Sequence, residues 1–287
     1  MSKLVRTAAA GIAVALWSIN AVGADTRNEA RLDIASGGNL NIVSNGGSVK
    51  VHAGAGRQIS GFYITHSDKV EVDRTVTADK MRVAIHARIA PDQKPTADES
   101  RVDYDLAVPA GVSVTVTTAT GPITIDGISG DLELSSETGQ ITVSNVSKVH
   151  VHVRGVTAPV SLSHISNGHV EIISAGGTVQ LADVMGPKVS VGTASGNISY
   201  RGDCSGGGEY SLTTHSGAID VSLPETASFE LSARSGPGLV QNDFPLKEKS
   251  NPTYVPKAGS SFTGTSNSGS SSIELQSFSG RIRVKKQ

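Results

Sequence analysis

Six side chains that can bind a divalent metal recur at a fixed spacing in the middle of the chain. They are Asp131, Glu133, His150, His152, His169 and Glu171. They form three pairs, and corresponding members of successive pairs are separated by the same interval, since 150 − 131 = 19 and 169 − 150 = 19. Imidazole and carboxylate groups are ligands of Zn²⁺ and Cu²⁺ in proteins. The six residues therefore predict a metal-binding surface patch if the fold stacks segments of this length on one another.

The alternative interpretation of these six residues, called here the His patch, is a hydrated surface. A histidine placed between acidic residues keeps like charges from lying opposite one another on adjacent strands. Neutral imidazoles on a flat sheet face also remain well hydrated. We expect the hydrated surface, and we predict no catalytic residue, no cofactor and no cofactor-binding residue.

The spacing of the His patch reflects a longer repeat of apolar pairs around a glycine. Leu132 and Leu134 precede Gly139 by seven and five residues, and Ile141 and Val143 follow it by two and four. The same pattern recurs around Gly47, Gly121, Gly177, Gly196, Gly217 and Gly280, with Ala158 replacing the glycine once and a half-copy at Gly236. The centres at 121, 139, 158, 177, 196, 217 and 236 give successive intervals of 18, 19, 19, 19, 21 and 19.

A period of roughly 20 residues with two alternating segments per unit is typical of a β-solenoid. Each unit has one apolar face, which it can bury only by stacking on the next unit about 4.8 Å away. The sequence therefore predicts an all-β, single-domain β-solenoid (β-helix) with rungs of about 18–21 residues and two short strands per rung. We expect each central glycine to supply the positive φ of a sharp corner.

Two long intervals interrupt the repeat. The interval from Gly47 to Gly121, 121 − 47 = 74, would hold about four rungs, and that from Gly236 to Gly280, 280 − 236 = 44, about two. The second interval contains a segment rich in Pro, Ser and Gly, which is typical of a loop. We predict one solenoid domain over residues 25–287: less regular over 52–111, regular rungs over 112–240, an excursion over 241–271 and a final rung over 272–287.

Residues 1–24 have the three parts of a signal peptide. Lys3 and Arg6 precede a short apolar stretch, and residues 22–24 present small side chains at the cleavage site. Cleavage after Ala24 would leave 287 − 24 = 263 residues, beginning at Asp25. No later segment reaches the roughly 20 apolar residues of a transmembrane helix. We expect an exported protein, periplasmic or secreted, without a transmembrane segment.

Composition argues against several kinds of partner. Without the signal peptide the chain has 25 − 2 = 23 basic and 26 acidic residues, so no basic stripe for nucleic acid is expected. Trp17, the only tryptophan, lies in the predicted signal peptide, which leaves few aromatic side chains to stack on sugars or bases. Cys204 is the single cysteine, and we expect a buried, unreactive thiol. The string Arg201-Gly202-Asp203 is expected to be a turn rather than an integrin-type ligand.

The sequence contains no nucleophile elbow, no H-E-x-x-H motif and no phosphate-binding loop. The residues three positions after each centre should point outward, and they are Thr124, Thr142, Ser161, Gln180, Ser199 and Asp220. Hydroxyl and amide groups with a single carboxylate suit a hydrated strand surface. A polysaccharide lyase on a β-helix needs clustered carboxylates and a catalytic base. We therefore expect a protein that is not an enzyme.

Two segments resemble the DUF4097 family of exported bacterial β-strand-repeat proteins. They are VDYDLAVPAGVSVTVTTATGPITIDGISGDLELSSETGQITV, residues 102–143, and SSIELQSFSGRIRV, residues 271–284. The shared features are a strand that ends in V-P-A-G and rungs written V-x-V-x-T-x-x-G-x-I-x-V. The resemblance covers most of the chain after the signal peptide. It implies the repeat fold, export and an adhesin-like role, and it implies no catalytic residues.

These observations favour a non-enzymatic, exported structural or adhesin-like protein of the cell envelope. Its partner would be a protein or glycan of the envelope or the extracellular space. One alternative is a carbohydrate-active or sugar-binding β-helix protein, which the scarcity of tryptophan and of outward carboxylates disfavours. A second alternative is a metal-binding envelope protein that uses the His patch.

Overall fold

A computed structural model of the chain describes residues 25–204, 206–236, 239–247 and 261–287. The predicted signal peptide and residues 248–260 of the predicted excursion lie outside the described residues. The described residues form strands and turns without a helix. The strands make two twelve-stranded sheets, called sheet A and sheet B.

Strands are numbered in chain order. Sheet A contains, in spatial order, β1 (Thr26–Asp33), β4 (Gln58–Thr65), β7 (Val102–Val108), β3 (Val49–Ala53), β9 (Ile123–Asp126), β11 (Ile141–Ser147), β13 (Val160–Ser166), β15 (Val179–Val184), β17 (Ile198–Arg201), β19 (Ile219–Leu223), β24 (Ile282–Lys286) and β21 (Val240–Asn242). Sheet B contains β22 (Ser261–Ser266), β20 (Phe229–Ser235), β23 (Ser271–Ser277), β18 (Glu209–Thr214), β16 (Lys188–Thr193), β14 (His169–Ser174), β12 (His150–Gly155), β10 (Leu132–Ser136), β8 (Ser113–Thr118), β2 (Asn39–Ser44), β6 (Arg82–Ile89) and β5 (Val70–Val76).

Successive rungs pair in parallel with the predicted register. Leu132 of β10 lies between Val114 of β8 and Val151 of β12. On the other sheet, Ile141 of β11 lies beside Ile123 of β9. All of the apolar residues predicted to point inward are buried between the sheets. Alternation places these side chains on one face of each strand, and stacking removes that face from water. The predicted β-solenoid with two strands per rung is confirmed.

The order of rungs at the start of the chain differs from the prediction. The rung of Gly47, made by β2 and β3, stacks directly on β8 and β9. Strands β6 and β7 lie outside it. The prediction of about four rungs between Gly47 and Gly121 is wrong, because this interval supplies one parallel rung and the antiparallel strands β4 and β5.

The last rung in the chain also lies inside the stack instead of at its end. Strands β23 and β24 pair with β18 and β19, so the rung of Gly280 follows that of Gly217. Strands β20 and β21 lie outside this rung, and antiparallel β22 covers β20. The prediction of about two further rungs between Gly236 and Gly280 is therefore wrong for the described residues of this interval. Antiparallel strands β1, β5 and β22 form three of the four sheet edges, and parallel β21 forms the fourth.

Each central glycine turns the chain from sheet B to sheet A, but the predicted positive φ is wrong for most corners. Gly47 has a φ of 88°, whereas the other central glycines have no positive φ. A Cβ atom on Gly139 would lie 2.0 Å from the carbonyl oxygen of Gly121, and one on Gly196 would lie 2.0 Å from that of Gly177. At these two corners glycine is needed because the carbonyl oxygen of the preceding rung occupies the space of a side chain.

A buried hydroxyl group completes the corner three residues before the glycine. The N–H of Gly196 donates to Thr193 Oγ1 at 2.9 Å, and that of Gly217 donates to Thr214 Oγ1 at 3.0 Å. The same bond is made at Gly121, Gly177 and Gly280. The bond satisfies a backbone donor that stacking removes from water. This bond explains why a Thr or Ser residue precedes the glycine by three positions in the repeat.

Candidate functional site

The His patch lies on the outward face of sheet B, where β10, β12 and β14 meet. Glu133 lies beside His152, which in turn lies beside Glu171. His150 lies beside His169 on the same two strands, β12 and β14. The register predicted for the patch is therefore observed, with three rungs contributing to one face.

Two acidic residues of the His patch are engaged by the protein itself. Asp131 Oδ1 accepts the backbone N–H of His150 at 2.9 Å. Arg154 Nη1 donates to Glu133 Oε1 at 3.1 Å, an outward contact that the repeat pattern did not reveal. One oxygen of each carboxylate thus already has a partner within the protein.

The imidazoles of the patch contact each other and one carboxylate. The rings of His150 and His169 pack edge to face with centroids 5.4 Å apart. His152 Nδ1 lies 3.5 Å from Glu171 Oε2. Among the residues that the structure describes, no group of three or more His, Cys, Asp or Glu side chains is placed to hold a metal ion. Nε2 of His152 is buried and has no hydrogen-bond partner among the described residues. The hydrated surface and the metal site both stay predictions.

The outward face of sheet A carries a column of short polar side chains. Thr142 lies between Thr124 and Ser161 on adjacent rungs. The column continues through Gln180, Ser199 and Asp220. We call these six residues the hydroxyl column, and all six side chains reach the surface.

A charged cluster that the sequence did not reveal lies at the N-terminal end of the stack. His66 Nδ1 lies 2.8 Å from Asp25 Oδ1, and His66 Nε2 lies 2.7 Å from Asp103 Oδ2. Asp103 Oδ1 accepts the N–H of Ser48 at 2.6 Å and its hydroxyl at 2.7 Å. These partners are far apart in the chain, so no local motif links them.

Electrostatics in this cluster favour an imidazolium facing two carboxylates. The hydrogen bond to Asp103 raises the pKa of His66, and Asp25 adds to the rise, whereas burial and Arg101 oppose it. Burial by itself would raise the pKa of Asp103, but the hydrogen bonds from Ser48 and His66 outweigh it and lower the pKa. The ion pairs tie the start of β1 and the end of β4 to β7.

The order of groups in the cluster does not activate a nucleophile. In a Ser–His–Asp triad the imidazole contacts the hydroxyl group and removes its proton. Here the hydroxyl of Ser48 bonds to Asp103, and both ring nitrogens of His66 face carboxylates. The cluster is therefore suited to holding strands together.

Cys204 and the Arg-Gly-Asp string lie in the local environments that the sequence predicted. Cys204 is a free, buried cysteine, as predicted, and burial raises the pKa of its thiol to about 12. A protonated thiol is a poor nucleophile at neutral pH. Arg201 ends β17, and the N–H of Gly202 donates to the carbonyl of Ser222 in the stack. This places the Arg-Gly-Asp string at a bend after a strand, as predicted.

No helix long and apolar enough to cross a membrane occurs in the described part of the chain. Two crystal structures are similar to this chain at low sequence identity. A candidate cell adhesion protein from Clostridium sporogenes shares 12% identity over 92% of this chain and 100% of its own, with a TM-score of 0.37. A candidate adhesin from Bacteroides fragilis shares 10% identity over 91% of this chain and 97% of its own, with a TM-score of 0.46.

A comparison with curated proteins finds no match. A family model does match, however, and it extends over residues 19–285, which includes both sheets except the last residue of β24, and the corners that join them. The T-x-x-G corners and the in-register apolar columns lie inside that match. The chain belongs to the Toastrack DUF4097 family.

Proposed function

We propose that this chain is a non-enzymatic, adhesin-like protein of the cell envelope that attaches to a protein or glycan through the outward face of sheet A. The observation that carries this proposal is the hydroxyl column. Thr124, Thr142 and Ser161 lie in direct register on three successive rungs. An extended partner can meet a hydroxyl group on each of these three rungs and a polar side chain on each of the next three, so many weak contacts add up.

The rigidity of the solenoid supports this role. The inward residues below the column, such as Ile141, Val160 and Val179, are at most 1% exposed. Outward side chains on such strands keep fixed positions, which lowers the entropic cost of binding an extended partner. The N-terminal cluster supports a non-enzymatic role, since the hydroxyl group of Ser48 faces Asp103 instead of the imidazole of His66.

Export is part of the proposal and rests on the predicted signal peptide, Met1–Ala24. Cleavage after Ala24 would make Asp25 the first residue of the exported protein, and its carboxylate contacts His66. Mass spectrometry of the protein from envelope and culture fractions tests this step. A chain that begins at Asp25 supports export, whereas an intact Met1–Ala24 segment in all fractions contradicts it.

Attachment is tested by immobilising the purified protein and measuring how many bacterial cells and envelope fragments it retains. The informative variant is Thr142→Glu/Ser161→Glu, which places two carboxylates in the hydroxyl column. The matched control is Thr117→Glu/Ser135→Glu, because these residues are also neighbours on adjacent rungs, but on sheet B. We expect retention by the wild type and the control and a loss in the column variant. Absent retention by the wild type, or an equal loss in both variants, contradicts the proposal.

A further inference from the structure

A cleft of about 540 Å³ opens at the N-terminal end of sheet A. Its floor is formed by β1 and β4, where Arg31 lies beside Ser60 and Asp33 lies beside Gln58. Its walls include Arg57, in the loop between β3 and β4, and Lys80, in the turn between β5 and β6. We call this feature the N-terminal cleft. Its volume is within the range of small-molecule sites.

The N-terminal cleft continues the outward face that carries the hydroxyl column. Ser60 of the cleft lies beside Ala107, and Ala107 lies beside His52. His52 in turn lies beside Asp126, which is two residues after Thr124 on β9. A chain molecule lying across sheet A could therefore reach both the column and the cleft.

Charge in the cleft is positive after its internal ion pair is taken into account. Lys80 Nζ lies 2.6 Å from Asp33 Oδ2, and Gln58 donates to the other oxygen of Asp33. Arg31 Nη2 lies 3.6 Å from Glu29 Oε2, but both side chains are 76% exposed, so this ion pair is weak. Among the described residues, the side chain of Arg57 has no hydrogen-bond or ion-pair partner, although it lines the cleft.

We propose that the N-terminal cleft binds a carboxylate or sulfate group of an acidic polysaccharide, which rests on the attachment role proposed above. The guanidinium of Arg57 is free to pair with the acidic group in a two-point hydrogen bond. Ser60 and Asp33 supply a donor and an acceptor for the hydroxyl groups of the same sugar. The carboxylate of Asp33 repels a doubly charged phosphate, which favours a singly charged sugar acid over a phosphorylated ligand.

The proposal is tested by calorimetric titration of the purified protein with polygalacturonate, which carries only carboxylates, with dextran sulfate, which carries only sulfates, and with neutral dextran. The variant is Arg57→Gln. Its matched control is Arg201→Gln, an exposed arginine at the far end of a strand of the same sheet. We expect binding of an acidic polysaccharide, no binding of dextran, and an affinity at least about tenfold lower for Arg57→Gln, the effect of losing one charge-assisted hydrogen bond. The control should bind as the wild type does.

The two acidic polymers separate carboxylate from sulfate as the recognised group, and binding of either one supports the proposal. Binding of neither polymer overturns it, as does an equal loss in both variants, which would indicate non-specific charge attraction. Preferential binding of phosphatidylglycerol vesicles or DNA would also overturn it.

Arg57→Gln should have the melting temperature of the wild type, since the side chain of Arg57 has no partner in the described structure. If Arg57→Gln retains cells normally, attachment stands and the cleft assignment fails. If the wild type retains no cells, attachment itself fails.

Discussion

Gly155 and Ala158 have exchanged their roles at one corner of the solenoid. Other corners have a hydroxyl residue at the first of these positions and glycine at the second, as in Thr193 and Gly196. A Cβ on Gly196 would lie 2.8 Å from Thr193 Oγ1, so a hydroxyl and a corner methyl group exclude each other. At the corner where Ala158 carries a methyl group, position 155 is a glycine and has no hydroxyl group. A Cβ added to Gly155 would lie 3.4 Å from Ala158 Cβ.

This exchange predicts a strong coupling between the two positions. Gly155→Thr alone should destabilise the protein by about 1–3 kcal/mol, because it adds atoms to a filled corner. The double variant Gly155→Thr/Ala158→Gly restores the usual corner and should recover most of that loss. Urea denaturation of the four proteins in the cycle measures the coupling. Independent, additive effects of the two changes would show that the corner does not work in this way.

The close approach of rungs predicts opposite effects for two glycines on the same rung. Gly196→Ala puts a Cβ 2.0 Å from the carbonyl oxygen of Gly177, so the rung must shift, at a cost of about 1–3 kcal/mol or more. Gly192→Ala meets no atom within 4 Å and should be neutral or stabilising by up to about 1 kcal/mol. Thermal melts of both variants check this. Similar melting temperatures for the two would contradict the packing described for the corner.

The cluster around His66 predicts a pH-dependent contribution to stability. The pKa of His66 is raised in the folded state, so its contribution is complete below the ordinary pKa of 6.5 and is lost as the pH rises through the raised value. The lowered pKa of Asp103 acts in the other direction, and that contribution is lost only as the pH falls through the lowered value. The free energy of unfolding lost in His66→Gln should therefore be about 1–3 kcal/mol near pH 5.5 and smaller near pH 9.

The control for this prediction is His52→Gln. His52 lies 3.3 Å from Asp105, but the two side chains are 50% and 37% exposed. Such a pair contributes less than about 1 kcal/mol at any pH. Denaturation from pH 5 to pH 9 gives the comparison. A His66→Gln effect that stays constant over this range would show that the imidazolium does not stabilise the fold.

The His patch should behave as a hydrated surface. Zn²⁺ should produce no rise in melting temperature that depends on His150 and His152, because no three His, Cys, Asp or Glu side chains of the described residues are placed to hold one ion. The zinc-induced shift in melting temperature is compared in the wild type, in His150→Ala/His152→Ala and in His215→Ala. His215 directly follows β18, outside the His patch, so its variant is the control. A shift that only the double variant removes, and that fades as the pH falls, would establish a metal site instead.

The solenoid could be predicted from the sequence because apolar residues, which must be buried, recur at the length of one rung. Leu132, Val151 and Val170 recur at the rung length, and parallel pairing places them in one column. The outward register of His150 and His169 follows from the same argument. Local periodicity is enough for these contacts because each rung touches only its neighbours.

The ends of the stack could not be predicted in this way. The pairing of β2 with β8, and of β18 with β23, skips long stretches of chain, and no periodic signal specifies which rung comes next in space. For the same reason the contact of His66 with Asp103 was missed, as was the N-terminal cleft. Both depend on antiparallel strands outside the repeat, whose pairing is set by tertiary packing.

The outward face of sheet A is proposed to hold its partner without changing it chemically, and one experiment measures both properties. Envelope polysaccharide is passed over the immobilised protein, eluted with salt and compared by size-exclusion chromatography with the starting material. We predict that the wild type retains polysaccharide, that Thr142→Glu/Ser161→Glu retains less of it, and that the eluted polysaccharide has its original chain length. Shortened chains in the eluate would contradict the proposed function, as would a wild type that retains neither envelope polysaccharide nor envelope protein.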